Sequence, residues 1–124
     1  FPGGWLSDNK NAFLKEDRTP KQNNYFDFTK RLINWRKSNP AIHHGKTLHF
    51  TPQNDVYVYV RFLDNLRVMV IINNSSEDQI ISLNRFEEGL NGKYNGIDIL
   101  SDKKITLGKS LEIKAGIARI IELN

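Results

Sequence analysis

Apolar residues along this chain follow two different periods, one before Pro40 and one after it. From Thr19 to Asn39, Tyr25, Phe28, Leu32 and Trp35 recur every three or four residues, the spacing that lines one face of an α-helix. Phe26 and Ile33 lie about 100° round from that stripe at roughly 3.6 residues per turn. The apolar arc therefore covers about half the circumference, wider than a helix resting on a single core needs. Both ends carry signals. Thr19 suits an N-cap, Pro20 the first helical position, and Gln22 completes a T-x-x-Q capping box. Lys37 complements the negative pole of the helix, and Pro40 forbids its continuation. Such a helix needs neighbours on two sides, and the segment after Pro40 supplies one.

After Pro40 the period drops to two and stays there. Leu48 and Phe50 alternate within KTLHF. The run DVYVYVRFL places Val56, Val58, Val60 and Phe62 on one face and Tyr57, Tyr59 and Arg61 on the other. Asp64-Asn65 reads as a two-residue hairpin turn, because both residues tolerate positive φ. LRVMVIINN then returns, with Leu66, Val68, Val70 and Ile72 expected inward. Met69 and Ile71 make its second face apolar as well, which predicts a central strand. NNSSED breaks the run and DQIISL resumes it. Arg85 to Leu90 reads as a short helical turn, followed by strands at NGIDIL, KKITL, SLEIKA and GIARIIEL. About eight short strands with regular turn signals predict a mainly β chain, an antiparallel β-sandwich preceded by one long helix.

Residues 1–18 have no such period. Pro2-Gly3-Gly4 is a turn signal, and SDNKN is irregular, yet Phe1, Trp5, Leu6, Phe13 and Leu14 are large and apolar. A disordered tail is poor in such residues, so this stretch reads as a loop made to pack against a surface outside it. The opening FPGGW has neither a Met nor a basic leader and reads as cut from something longer.

At 124 residues the chain is large enough for a core without staples, and it contains no cysteine, so disulfides and thiolate metal sites are excluded. A net charge of +4 is spread along the chain without a basic cluster interleaved with aromatics, which argues against a nucleic-acid partner. No apolar run approaches the roughly 20 residues of a membrane span.

Candidate chemistry is sparse. Asp64, Asp78 and Asp102 fall in turns and Glu112 and Glu122 on outer strand faces, so nothing selects a pair of carboxylates for acid–base work. Asp27 reads as a solvated or rim charge. His43-His44 and His49 have no carboxylate at metal-ligand spacing, and no metal or cofactor is expected. Ser75-Ser76 lacks a nucleophile-elbow context and reads as a turn. Gly3-Gly4 has no preceding strand and no following Lys-Ser/Thr, so it is no phosphate loop. Trp5, Tyr57 and Tyr59 have ring faces suited to the C–H faces of sugars, and equally to covering a sheet or a neighbouring domain.

FPGGW, then NAF and RT, then LINWRKSNPAIHHGK, VYVYVRF and VMVIINN together resemble the C-terminal end of α-amylase family glycoside hydrolases, most nearly the neopullulanase/cyclomaltodextrinase branch of Bacteroidetes type. The resemblance covers essentially the whole chain, and the FPGGW…NAF…RT string is its most specific part. It implies that residues 1–45 resemble the last loop and helix of a (β/α)₈ barrel, and residues 46–124 a C-terminal β-sandwich domain. It further implies a parent enzyme that hydrolyses α-1,4-glucosidic bonds and a periplasmic or secreted location. In that family an aspartate nucleophile, a glutamate acid and a second aspartate lie on earlier barrel strands. None of their motifs occurs here, so no catalytic residue carries over. The resemblance implies a structural, interdomain module with the barrel as partner of the helix. The alternative is a module that binds maltodextrin through Trp5, Tyr57 and Tyr59. A third expectation is self-association of the chain through the apolar helix face.

Overall fold

The computed structural model describes residue 3 and residues 5–124. Phe1, Pro2 and Gly4 lie outside the described residues, and so does the turn expected at Pro2-Gly3-Gly4. The chain forms two compact units, Phe1–Arg36 and Lys37–Asn124.

The first unit is built around helix α1, Pro20–Ser38. Its capping box closes as the spacing predicts: the Thr19 N–H donates to Gln22 Oε1 at 2.8 Å, and the Gln22 N–H donates to Thr19 Oγ1 at 3.3 Å. The loop before it has no regular element but is tied together by side chains. Asp8 Oδ2 accepts from the Gly3 N–H at 2.7 Å, and Asp17 Oδ2 accepts from the Asn11 N–H at 2.8 Å. Arg18 anchors loop to helix, donating to the Ala12 carbonyl and to Asn23 Oδ1, both at 2.7 Å, with its guanidinium 3.9 Å from the Phe26 ring centre. None of the residues of α1 is buried.

The second unit opens with a short helix the periodicity did not announce. Pro40 does end α1, and it also starts α2, Pro40–His44, where its missing N–H costs nothing. Asn39 caps this helix, its side chain accepting from the Ala41 N–H at 3.1 Å. The strands are β1 (Lys46–Gln53), β2 (Val56–Leu63), β3 (Leu66–Asn73), β4 (Gln79–Ser82), β5 (Asn95–Asp98), β6 (Lys103–Thr106), β7 (Ser110–Ile113) and β8 (Ala118–Leu123). A 3-10 turn (Leu83–Phe86) and helix α3 (Glu87–Leu90) stand where the sequence predicts a short helical turn over Arg85–Leu90. All pairings are antiparallel, in a six-stranded sheet ordered β1-β2-β3-β8-β5-β6 and a two-stranded sheet β4-β7. β3 is central, as its doubly apolar composition requires.

Two hairpin turns set the register. Asn54 and Asp55 both take positive φ (50° and 57°), and Asp64 does so at 49°, conformations that asparagine and aspartate adopt most easily. The Asp64-Asn65 turn pairs Leu63 with Leu66, and hence Val60 with Met69 and Val58 with Ile71. Directly opposed residues share a sheet face. Met69 and Ile71 therefore join Val56, Val58 and Val60 in the core, while Val68, Val70 and Ile72 join Tyr57, Tyr59 and Arg61 on the outer face. This reverses the inward set expected for β3. Composition could not choose between two apolar faces; the hairpin register does.

The core lies between the two sheets, with Leu83, Phe86 and Leu90 filling it from the 3-10 turn and α3. Phe86 meets Phe50 edge to face, ring centres 4.9 Å apart. Gly89 is needed for this fit, because a Cβ there would come within 2.7 Å of Val60 Cγ2. At the surface, Asp78 receives Lys114 Nζ at 2.7 Å and the Ala115 N–H at 2.9 Å, and the same ammonium reaches Glu112 at 2.7 Å. The lysine hydrogen bond, then the Ala115 N–H, hold the Asp78 carboxyl below its ordinary value. A depressed carboxyl contributes stability that is present above its unfolded pKa of about 3.9 and is lost as pH falls through the folded value. Asp78→Asn is therefore expected to flatten the fall in thermal midpoint below about pH 4, as calorimetry across that range would show. An unaltered acid limb would count against this role.

Candidate functional site

The residues singled out by sequence fall in different places. Trp5 stands 78% exposed in the loop of the first unit, where Leu6, Phe13 and Leu14 are exposed as well. Its position is held by Asp8, which accepts from the Trp5 N–H at 3.4 Å and donates its own backbone N–H to the Trp5 carbonyl at 3.1 Å. Tyr57 and Tyr59 lie together on the outer face of β2, rings 5.6 Å apart and inclined by 36°. They oppose the core face, as alternation predicts, and both are half-buried.

A third ring joins them. His49 on β1 pairs with Tyr59 across the hairpin, its ring lies 6.1 Å from that of Tyr57 at an interplanar angle of 11°, and its Nδ1 is hydrogen-bonded to the Tyr57 hydroxyl. Sequence reading set His49 aside for want of a metal partner. Counting back from the Asn54-Asp55 turn would pair His49 with Val60 on the core face; the register shift between Phe50 and Gln53 moves it beside the tyrosines, and nothing in the sequence signals that shift.

Beside these rings the outer face is aliphatic. Val70 sits opposite Tyr59 and Ile72 opposite Tyr57, and β8 continues the row with Ile120 and Ala118. At the other end of the sheet Arg61 ties α2 down, donating to the Ala41 and Ile42 carbonyls at 3.3 and 2.8 Å and to Thr47 Oγ1 at 2.5 Å. The sheet is thus apolar on both faces across β2 and β3, while Glu122 on β8 and Lys104 on β6 make the outer face polar beyond them. On the first unit, α1 and the preceding loop form an open groove of about 590 Å³ lined by Ala12, Arg18, Tyr25, Phe26 and Ile33 among others.

The acidic and nucleophilic candidates are engaged structurally. Asp64 and Asp102 occupy turns with positive φ. Ser75 Oγ lies 2.7 Å from Asn73 Oδ1 and 2.8 Å from the Glu77 carbonyl, bonds that build the turn after β3. Asp98, which sequence did not single out, is buried; it accepts from the Leu100 N–H at 3.1 Å and faces the Arg119 guanidinium at 3.9 Å. Among the described residues no group of three or more His, Cys, Asp or Glu side chains could hold a metal ion, and no helix is long and apolar enough to cross a membrane. What the geometry offers is flat aromatic and aliphatic surface, which binds by stacking and exclusion of water.

Residues 47–122 match the family model of the cyclo-malto-dextrinase C-terminal domain. A cyclomaltodextrin glucanotransferase of Thermoanaerobacterium thermosulfurigenes is 35% identical over 91 residues, covering 65% of this chain and 13% of that protein. An Anoxybacillus α-amylase shares the fold with a TM-score of 0.69 at 17% identity, over 98% of this chain and 26% of the amylase. The α-amylase of Geobacillus thermoleovorans, solved with acarbose, gives a TM-score of 0.65 at 21% identity over 98% and 27% of the two chains. The chain thus spans a small part of the length of the proteins it resembles. With the matched segment taking in every strand but the first residue of β1 and the last of β8, the chain belongs to the cyclo-malto-dextrinase C-terminal domain family, a domain of α-amylase family enzymes.

Proposed function

We propose that this chain is a non-catalytic, interdomain module of a glycoside hydrolase of the neopullulanase/cyclomaltodextrinase type acting on α-1,4-glucans. In this reading residues 1–45 complete the catalytic barrel, residues 46–124 form the domain that follows it, and the parent works in the periplasm or outside the cell. One observation carries it: the 19-residue α1 buries none of its residues, although Tyr25, Phe28 and Ile33 make its surface apolar. A helix gains most of its stability by packing an apolar face, so this surface is made for a partner. The apolar outer surface of β2 and β3 fits the same account, with Tyr57 and Tyr59 as part of its cover. Isolated chains would meet one another through the same faces.

A second reading, glucan binding, is favoured by the near-parallel rings of His49 and Tyr57 with Tyr59 beside them; Trp5 would serve it from the first unit. Titrating the chain with maltoheptaose and with β-cyclodextrin, followed by amide and aromatic NMR shifts, separates the two. Flat spectra up to millimolar sugar are expected. Saturable shifts clustered at Tyr57 and Tyr59, or at Trp5, would overturn the structural role in favour of a binding module.

A further inference from the structure

The chain contains two Asn-Gly steps four residues apart, Asn91-Gly92 and Asn95-Gly96, and the fold treats them oppositely. Glycine offers no side chain to hinder attack of its own nitrogen on a preceding asparagine amide, so either step is chemically competent in an open chain. We infer that Asn91 is a site of spontaneous deamidation and isoaspartate formation in the folded protein, and that Asn95 is not. This inference does not depend on the proposed role.

Exposure does not separate the two, since both asparagines are exposed. Hydrogen bonding does. Asn95 Oδ1 accepts from Thr106 Oγ1 at 2.8 Å and its carbonyl accepts from the Asn124 N–H at 2.9 Å. Gly96 is buried in β5 between β6 and β8, where a Cβ would stand 2.4 Å from the Glu122 carbonyl. Its nitrogen cannot turn toward the Asn95 side chain unless β5 leaves the sheet. Asn91 instead ends α3 with φ 49° and ψ 46°, held only by its backbone N–H on the Glu87 carbonyl at 2.8 Å. Its side-chain amide and the Gly92 N–H make no hydrogen bond among the described residues. Gly92 has φ 78° and open space where a Cβ would be. Local opening there disturbs one turn, not a sheet.

The Gly92 nitrogen, deprotonated by base, attacks Asn91 Cγ. The N–Cγ bond forms, the Cγ–Nδ2 bond breaks, and ammonia leaves with the proton. Water then opens the succinimide at either carbonyl, giving aspartate or, where the α-carbonyl to Gly92 bond is cut, isoaspartate. The net change is one water in and one ammonia out. Isoaspartate lengthens the main chain by one carbon immediately after Leu90, a fully buried core residue, so conversion also loosens the α3 anchor.

Incubating the folded chain in warm, mildly alkaline buffer, then mapping peptides by mass spectrometry and labelling with an isoaspartyl methyltransferase, tests this. Asn91 is expected to convert to an Asp/isoAsp mixture at least about tenfold faster than Asn95, because β5 has to open first. In urea the two rates should converge. Asn91→Gly, which keeps the left-handed cap, should abolish the early mass gain and the methyl label. An unmodified Asn91, or equal rates at both steps in the folded chain, would overturn the inference.

Discussion

Replacing Asn73 with alanine is expected to lower the unfolding free energy of the sandwich by about 1–3 kcal/mol, the cost of leaving a buried group without its partner. Asn73 closes β3 and is 1% exposed. Its Nδ2 donates to the Glu77, Ile113 and Lys114 carbonyls at 2.8, 3.1 and 3.1 Å, one hydrogen being shared, and its Oδ1 accepts from the Ser75 N–H at 2.9 Å. One amide thereby joins the six-stranded sheet to the end of β7 in the other sheet and shapes the turn between β3 and β4. The Glu77 and Lys114 carbonyls belong to exposed residues and recover water on its loss; that of Ile113, a fully buried residue, does not. Asn73→Asp should cost more at neutral pH than Asn73→Ala, because it sets a carboxylate against three carbonyls. That variant should regain stability on acidification as the carboxyl takes up a proton. Urea midpoints followed by far-ultraviolet circular dichroism measure both, as the strands carry that signal and the two tryptophans, Trp5 and Trp35, lie in the first unit. A wild-type midpoint for Asn73→Ala would refute the role assigned to this amide.

Phe86→Ala is expected to cost about 3–5 kcal/mol, the range for deleting a large aromatic from a packed core. The ring is 2% exposed, stands edge-on to Phe50, and carries the Arg85 guanidinium 5.5 Å from its centre while that guanidinium donates to the Thr51 carbonyl. The site has little freedom to collapse, because the 3-10 turn is held by the Leu83 N–H on the Lys109 carbonyl at 2.9 Å and α3 is already at contact distance from Val60 through Gly89. Phe86→Leu, which keeps most of the volume, should cost about 1.5 kcal/mol or less. Similar midpoints for the two variants would show that the cavity closes and that the aromatic pair contributes little.

Legibility in the sequence followed the range of the interactions involved. The capping box at Thr19 and Gln22 and the stop at Pro40 are local hydrogen-bonding and steric facts, and the structure contains both. The eight strands were legible because alternation and turn residues act within a few neighbours. Helix α2 was missed because its signal, Asn39 as cap and Pro40 at the first position, was hidden behind the reading of Pro40 as a stop alone. The inward face of β3 was misjudged because both its faces are apolar, and only pairing across the hairpin distinguishes them. His49 was passed over for a related reason: its significance lies in a neighbour eight residues away on another strand.

Segment type, the local turns and the resemblance to amylase C-terminal domains were therefore set by the order of residues alone, since propensity, capping and motif spacing act along the chain. Which face of β3 enters the core, how Asn73 joins the two sheets, and why one Asn-Gly step is locked while the other is open were decided only by tertiary structure. Each depends on which backbone groups find partners across strands, and strand pairing is a property of the assembled sheet.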